Sequence, residues 1–213
     1  MMSFVLAMAL TAAPAPTVVD RVVAVVDGQA ITLSELEFEA RVQLVRLGGD
    51  DAANLVLDGD ALRAALELSI AHRLQASEAD RLSAFAMEPS VVSEETNRFE
   101  QRFLSPQAFD AFLARHEADK TQLGLVLART LRAERYLDSK LQFRAQVADA
   151  DVRRYYDTHA EEQKTPFDAI RNTLRERLVR ERYAKLADAE LKQLLANANV
   201  RRIGPMARGE PKP

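Results

Sequence analysis

The chain of 213 residues contains no cysteine. That removes disulfides, thiol catalysis, thiolate metal sites and lipid attachment through sulfur together. Histidine is nearly as scarce: His72, His116 and His159 stand far apart, and none has metal-ligand spacing to another. No HExxH, phosphate loop or GxGxxG occurs, and no G-x-S-x-G elbow supports a serine nucleophile. Metals, nucleotide and other cofactors are therefore expected to be absent. Excess positive charge is also missing. A formal net charge of −3 leaves no electrostatic footprint for nucleic acid or an anionic membrane surface. Paired acids such as Glu94-Glu95 and Glu161-Glu162 fall at helix ends, where capping and solvation account for them. What remains is an ordinary balance, 47% apolar and 29% charged, with enough apolar residues for a real core.

The longest apolar run is short. Met2–Leu10 is followed by small residues and Ala13-Pro14-Ala15. It is too brief for an ordinary membrane span and reads as a secretory h-region with an A-x-A-like cleavage site. Residues 1–15 are then a signal peptide and the chain is exported; the alternative is an apolar N-terminal tail.

The chain is organised around the stretch that follows. Arg21–Val26 is β-branched and reads as a strand. Asp27-Gly28 suits a two-residue hairpin turn, which needs positive φ at both positions. Gln29–Thr32 is the return strand, and Thr32 with Glu35 has capping-box spacing for a helix over 34–47. A second helix follows Asp58-Gly59-Asp60, with Leu62, Leu66, Ile70 and Leu74 on its buried face, flanked by Ala61 and Ala65. Residues 83–92 read as a loop broken by Pro89, with Ser93 capping the next helix. Ser105-Pro106 opens a short helix, a long one spans 121–145, another starts at Asp149 or Asp151, and the longest starts at Pro166. Residues 200–203 are a final extended segment, expected to pair with the opening hairpin. Residues 204–213 read as a disordered tail. The fold class is mainly α, a multi-helix core with a small β-sheet joining the N-terminal hairpin to the C-terminal strand.

Two surface features are candidates for function. Arg171, Arg175, Arg177, Arg180 and Arg182 are interleaved with Glu176 and Glu181, which fits a solvated, charge-paired helix face or a surface for an acidic partner. Phe99, Phe103, Phe109, Phe112, Tyr136 and Tyr155 either pack a core or line a groove for apolar segments of other proteins.

The run Val19–Gly28, with Ile31-Thr32-Leu33-Ser34-Glu35-Leu36, resembles the opening of the SurA-type periplasmic chaperone family, which includes the PpiD and PrsA foldases. Arg102-Phe103 with Ser105-Pro106-Gln107-Ala108-Phe109, then Leu131–Leu137, Val147–Val152 with Tyr155-Tyr156, and the closing helix and strand are similar to it in order and spacing. The resemblance covers residues 19–203 as a single chaperone domain. It implies a helical core, completed by the C-terminal helix, that binds unfolded exported or outer-membrane polypeptides in an apolar crevice. The six aromatics above are the candidate client contacts. The family commonly carries a parvulin prolyl-isomerase domain between the Tyr155-Tyr156 helix and the closing helix. Here that junction, 159–165, is too short for a domain of roughly a hundred residues, so no catalytic residue is expected. The resemblance thus implies a periplasmic, cofactor-free chaperone that is not an enzyme. The alternatives are an adaptor docking one folded partner, or a component associated with a peptidyl-prolyl isomerase system.

Overall fold

A computed structural model describes residues 20–48, 50–159 and 161–209, so the proposed signal peptide lies outside the described residues. The fold is mainly helical with one small antiparallel sheet. Strands β1 (Val22–Val26) and β2 (Gln29–Thr32) form the expected hairpin, with Val26 opposite Gln29. Asp27 and Gly28 both take positive φ, +48° and +86°, the backbone that a type I′ turn requires. Strand β3 (Val200–Arg202) lies antiparallel on the other side of β1, giving the order β2-β1-β3. Asp27 also latches this pairing. Its N–H donates to the Asn199 carbonyl at 2.9 Å, and its carboxylate accepts from the Asn199 N–H at 2.7 Å. The turn residue that closes the hairpin therefore ties the two ends of the fold together.

Helix α1 (Leu33–Gly48) follows β2 without a linker. Its cap differs from the capping box read in the sequence. Thr32 Oγ1 accepts weakly from the Glu35 N–H at 3.4 Å, while Asp20 takes the Ser34 N–H and hydroxyl. The Glu35 side chain turns instead to Arg73. Helix α2 (Gly59–Arg81) is capped by Asp58, which accepts from the N–H groups of Asp60 and Ala61. Helix α3 runs over Pro89–Glu100 and corrects the placement of a loop over 83–92 with a cap at Ser93. Pro89 sits at the first helical position, where its missing N–H costs nothing, so here it opens a helix rather than breaking one. Ser105 caps α4 (Pro106–Arg115) as read. Helix α5 (Lys120–Leu141) opens on a full capping box between Asp119 and Gln122 and stops short of Ala145. Helices α6 (Asp149–Thr158) and α7 (Phe167–Asn197) complete the set.

Two apolar clusters hold these elements. One is aliphatic: Val23, Ala24, Val26 and Ile31 of the hairpin pack on Leu36, Leu66, Ile70 and Leu74, with Leu191, Leu194 and Leu195 of α7 at the edge. Met206 is buried in this cluster from a 3-10 turn over Gly204–Gly209. That corrects the disordered tail for those residues: one large apolar side chain within reach of the core is enough to order the turn. Residues 210–213 lie outside the described residues. The second cluster is aromatic and joins α1, α3, α4 and α5.

Candidate functional site

The six aromatics proposed from sequence fall in three separate places. Phe99, Phe109 and Phe112 are fully buried in the aromatic cluster, with Phe103 half-buried at its edge. Ring centroids lie 5.2 Å apart for Phe103–Phe112, 5.8 Å for Phe99–Phe112 and 6.3 Å for Phe99–Phe109, in tilted and edge-on arrangements. Phe38, Val42, Val45, Leu123 and Leu127 close the remaining sides. Tyr136 is buried elsewhere, where its hydroxyl donates to Glu190 of α7 at 2.6 Å and Lys140 reaches the same carboxylate. Burial pushes the Tyr136 pKa up, and the hydrogen bond to Glu190 raises it further. Tyr155 is half-buried on α6, stacked on His159 at 3.7 Å with the Arg177 guanidinium over its ring. Phe99, Phe109, Phe112 and Tyr136 therefore do not line a crevice. Their rings are large enough, and close enough in helical spacing, to fill the space between their own helices.

The arginine-rich face resolves toward charge pairing. Arg171 and Arg175 both reach Asp149 of α6, Arg177 bonds Glu162 at 2.5 Å, and Arg182 donates to the Gln146 carbonyl. The Asp149 pairs pin α6 to α7, and the other two hold the segments on either side of α6 against α7.

An open apolar site lies elsewhere, between α1, α2 and α5. A groove of about 300 Å³ is walled by Ala40, Leu44 and Leu47 of α1, by Ala61, Ala64, Ala65 and Leu68 of α2, and by Val126 of α5. The spacing on each wall is i, i+3 or i+4, i+7, one face of a helix. The α2 wall is mostly alanine, and methyl groups leave unfilled the volume that leucines would occupy. Two of the lining leucines face solvent, Leu47 at 87% exposed and Leu68 at 43%, and the segment that leads to Leu57 exposes Leu55 (53%) and Val56 (88%). Leu57 continues the segment Leu55-Val56 into the groove wall. Arg41 pins this segment by donating to the carbonyls of Ala53 and Leu55.

Beneath the groove sits a charged network that cross-links the same three helices. Arg73 of α2 grips the buried Glu39 of α1 with two bonds, 3.0 and 2.9 Å, and reaches Glu35 at 2.6 Å. Arg129 of α5 also bonds Glu39, and Ser69 donates to it at 2.5 Å. Burial works to raise the Glu39 pKa, but the bond and charge of Arg73, the charge of Arg129 and the Ser69 hydroxyl outweigh it and hold the carboxyl below its ordinary value. The His72 pKa on the groove wall is lowered too, here by desolvation, so the imidazole is neutral near pH 7. The floor is thus a rigid, internally neutralised platform. Among the described residues no cluster of His, Cys, Asp and Glu could hold a metal ion, and no helix is long and apolar enough to cross a membrane.

No family model matches the chain. A stretch of 78 residues is 35% identical to a putative peptidyl-prolyl cis-trans isomerase, NifM, of Azotobacter vinelandii. The match takes in 37% of this chain and 27% of that protein, so the chain spans about a quarter of the length of the curated relative it matches. The similarity points to isomerase-related proteins broadly rather than to the SurA-type group within them.

Sequence reasoning missed the groove, although its signal was present. In the sequence, Ala61 and Ala65 stand as flanks of the buried stripe Leu62, Leu66, Ile70 and Leu74. Ala64 and Leu68 extend them into a second apolar stripe on the same helix. A helix with two apolar stripes has one to spare for a partner.

Proposed function

We propose that this chain is a cofactor-free chaperone of the holdase type, which binds apolar segments of unfolded exported polypeptides in the α1–α2–α5 groove. The observation that carries this reading is the open groove with its exposed leucines, Leu47 and Leu68, beside an aromatic core that is closed. Contiguous exposed apolar surface marks partner sites on water-facing proteins. A smooth aliphatic surface with few polar groups recognises side-chain bulk rather than a defined sequence. The resemblance to the SurA-type family and the similarity to a putative prolyl isomerase support a place among folding factors. The leader-like N-terminus supports export, and the resemblance to a periplasmic family supports the periplasm of a Gram-negative bacterium as its compartment. The chain is proposed not to be an isomerase itself. The link between α6 and α7 is a single 3-10 turn, Glu162–Lys164, in the place where the resembling family carries its catalytic domain.

The test is suppression of aggregation of an unfolded outer-membrane protein by the purified chain. Suppression near stoichiometric ratio is expected, and it should be lost in a Leu47→Asp, Leu68→Asp double variant whose melting temperature is unchanged. No suppression at excess would sink the reading. Suppression that survives the double variant moves the client site out of the groove. The adaptor reading has its own signature, a pull-down returning one stable folded partner instead of many unfolded clients.

A further inference from the structure

The polar side chains lining the groove are already committed, with one exception. Glu39 accepts from Arg73, Arg129 and Ser69. Gln43 donates to Thr130 at 2.9 Å and accepts from Arg46, and Thr130 donates to the Val126 carbonyl. His72 lines the same groove from α2, half-buried, and among the described residues neither of its ring nitrogens has a hydrogen-bond partner. Neither nitrogen is sealed off: the buried nitrogens without a partner are those of His116, Arg132 and Arg177. The imidazole therefore keeps one donor and one acceptor for an occupant. We infer that His72 is the polar anchor of the groove and hydrogen-bonds a main-chain amide of the apolar segment bound there, selecting segments in extended conformation.

This rests on the groove being the client site. An apolar segment brings no polar side chains, but every residue in it brings a peptide group, and burying that group unpaired is costly. Most of the wall is aliphatic carbon, so His72 is where one amide finds its partner. A neutral imidazole suits either end of the amide, since one nitrogen donates and the other accepts. A helical segment has bonded its amides internally and would cover His72 without pairing it, which disfavours it. The same bond makes binding sensitive to acid. The charged groups facing His72 are Glu39 and Arg46 of α1 and Arg129 and Glu134 of α5. Arg129 is bonded to Glu39 and Arg46 to Glu134, so these charges face the ring as closed pairs. Desolvation is then the main influence, and it holds the His72 pKa below its ordinary 6.5. A bound segment covers the ring further and favours the neutral form. Affinity should therefore be constant above neutrality and fall as pH drops through the lowered pKa.

The test is binding of a fluorescent aliphatic peptide with lysine ends to the full chain, from about pH 8 to about pH 5, the range over which histidine titrates. The peptide is made in an unstructured form and in a helix-locked form. Wild-type chain should prefer the unstructured form and lose affinity for it as pH falls. His72→Phe keeps a ring and removes both hydrogen-bonding groups. It should bind the unstructured peptide about tenfold more weakly at the high end of the range, the weight of one hydrogen bond, and the helix-locked peptide no more weakly than wild type. His72→Gln keeps a donor and an acceptor but cannot titrate, so it should bind more tightly than His72→Phe and show no fall with pH. Circular dichroism melts check that both variants are folded. A His72→Phe chain that binds the unstructured peptide as wild type does overturns the proposal, as does a fall with pH that survives in His72→Gln. Binding of neither peptide nor unfolded client by wild type overturns the chaperone reading and this one together. Client binding that is lost in the Leu47→Asp, Leu68→Asp variant but indifferent to both His72 variants overturns this one alone.

Discussion

The aromatic core and the open groove share two helices and differ in fate. Phe38, Val42 and Val45 of α1 face the aromatic core, and Ala40, Leu44 and Leu47 of the same helix face the groove. Leu123 and Leu127 of α5 belong to the core, Thr130 and Arg129 to the groove, and Val126 touches both. Both sides are apolar, so apolarity does not separate them. Volume does. Phe99 of α3, Phe109 and Phe112 of α4 and Phe103 of the turn between them bring enough bulk to close one side, with rings in tilted contact that each add dispersion and quadrupole energy. The α2 wall opposite brings methyl groups, which cannot fill the gap. A protein that needs a binding surface beside a core can make one by shrinking side chains along one helix face.

The largest effect expected on this contrast comes from Phe99→Ala. It removes a fully buried ring from the centre of the closed side and should cost about 4 kcal/mol in denaturant unfolding, through lost burial and the cavity left behind. Its folded fraction should still bind clients. Loss of binding without loss of stability would show that the aromatic side is the working surface.

Glu39→Gln comes next, at about 3 kcal/mol, because it leaves the buried Arg73 and the half-buried Arg129 against a neutral amide. The pH dependence has a definite sign. The folded Glu39 pKa lies below its ordinary 4.5, so the carboxylate contributes fully above that value. Its contribution is lost as pH falls through the folded pKa. The gap in stability between wild type and Glu39→Gln should therefore be constant near neutrality and shrink below pH 4.5. A gap independent of pH down to acid unfolding would mean that the network does not hold the three helices together.

The sequence was most legible where one residue's backbone chemistry decides the outcome. Asp27-Gly28 requires positive φ and makes the hairpin, and the extended segment at 200–203 finds β1 as its partner. Ser105 and Asp58 mark helix starts through their side-chain acceptors. It misled where one residue serves two opposite roles. Pro89 opens a helix as readily as it breaks one, and Glu35 completes an ion network in preference to a cap. The candidate site was the least legible part. Helical spacing places Phe99, Phe103, Phe109 and Phe112 on apolar faces, but which faces are covered is decided by other helices far along the chain. The groove shows the same limit from the other side: its alanines were visible, and the absence of anything packed on them was not.

The claim that clients meet the aliphatic groove and not the aromatic side has one direct measurement. The chain has no native cysteine, so an environment-sensitive dye can be placed at Ala64→Cys in the groove or at the exposed Leu104→Cys beside Phe103. Titration with an unfolded outer-membrane protein should blue-shift the dye at 64 in a saturable manner and leave the dye at 104 unchanged. A saturable shift at 104 with none at 64 would contradict the account.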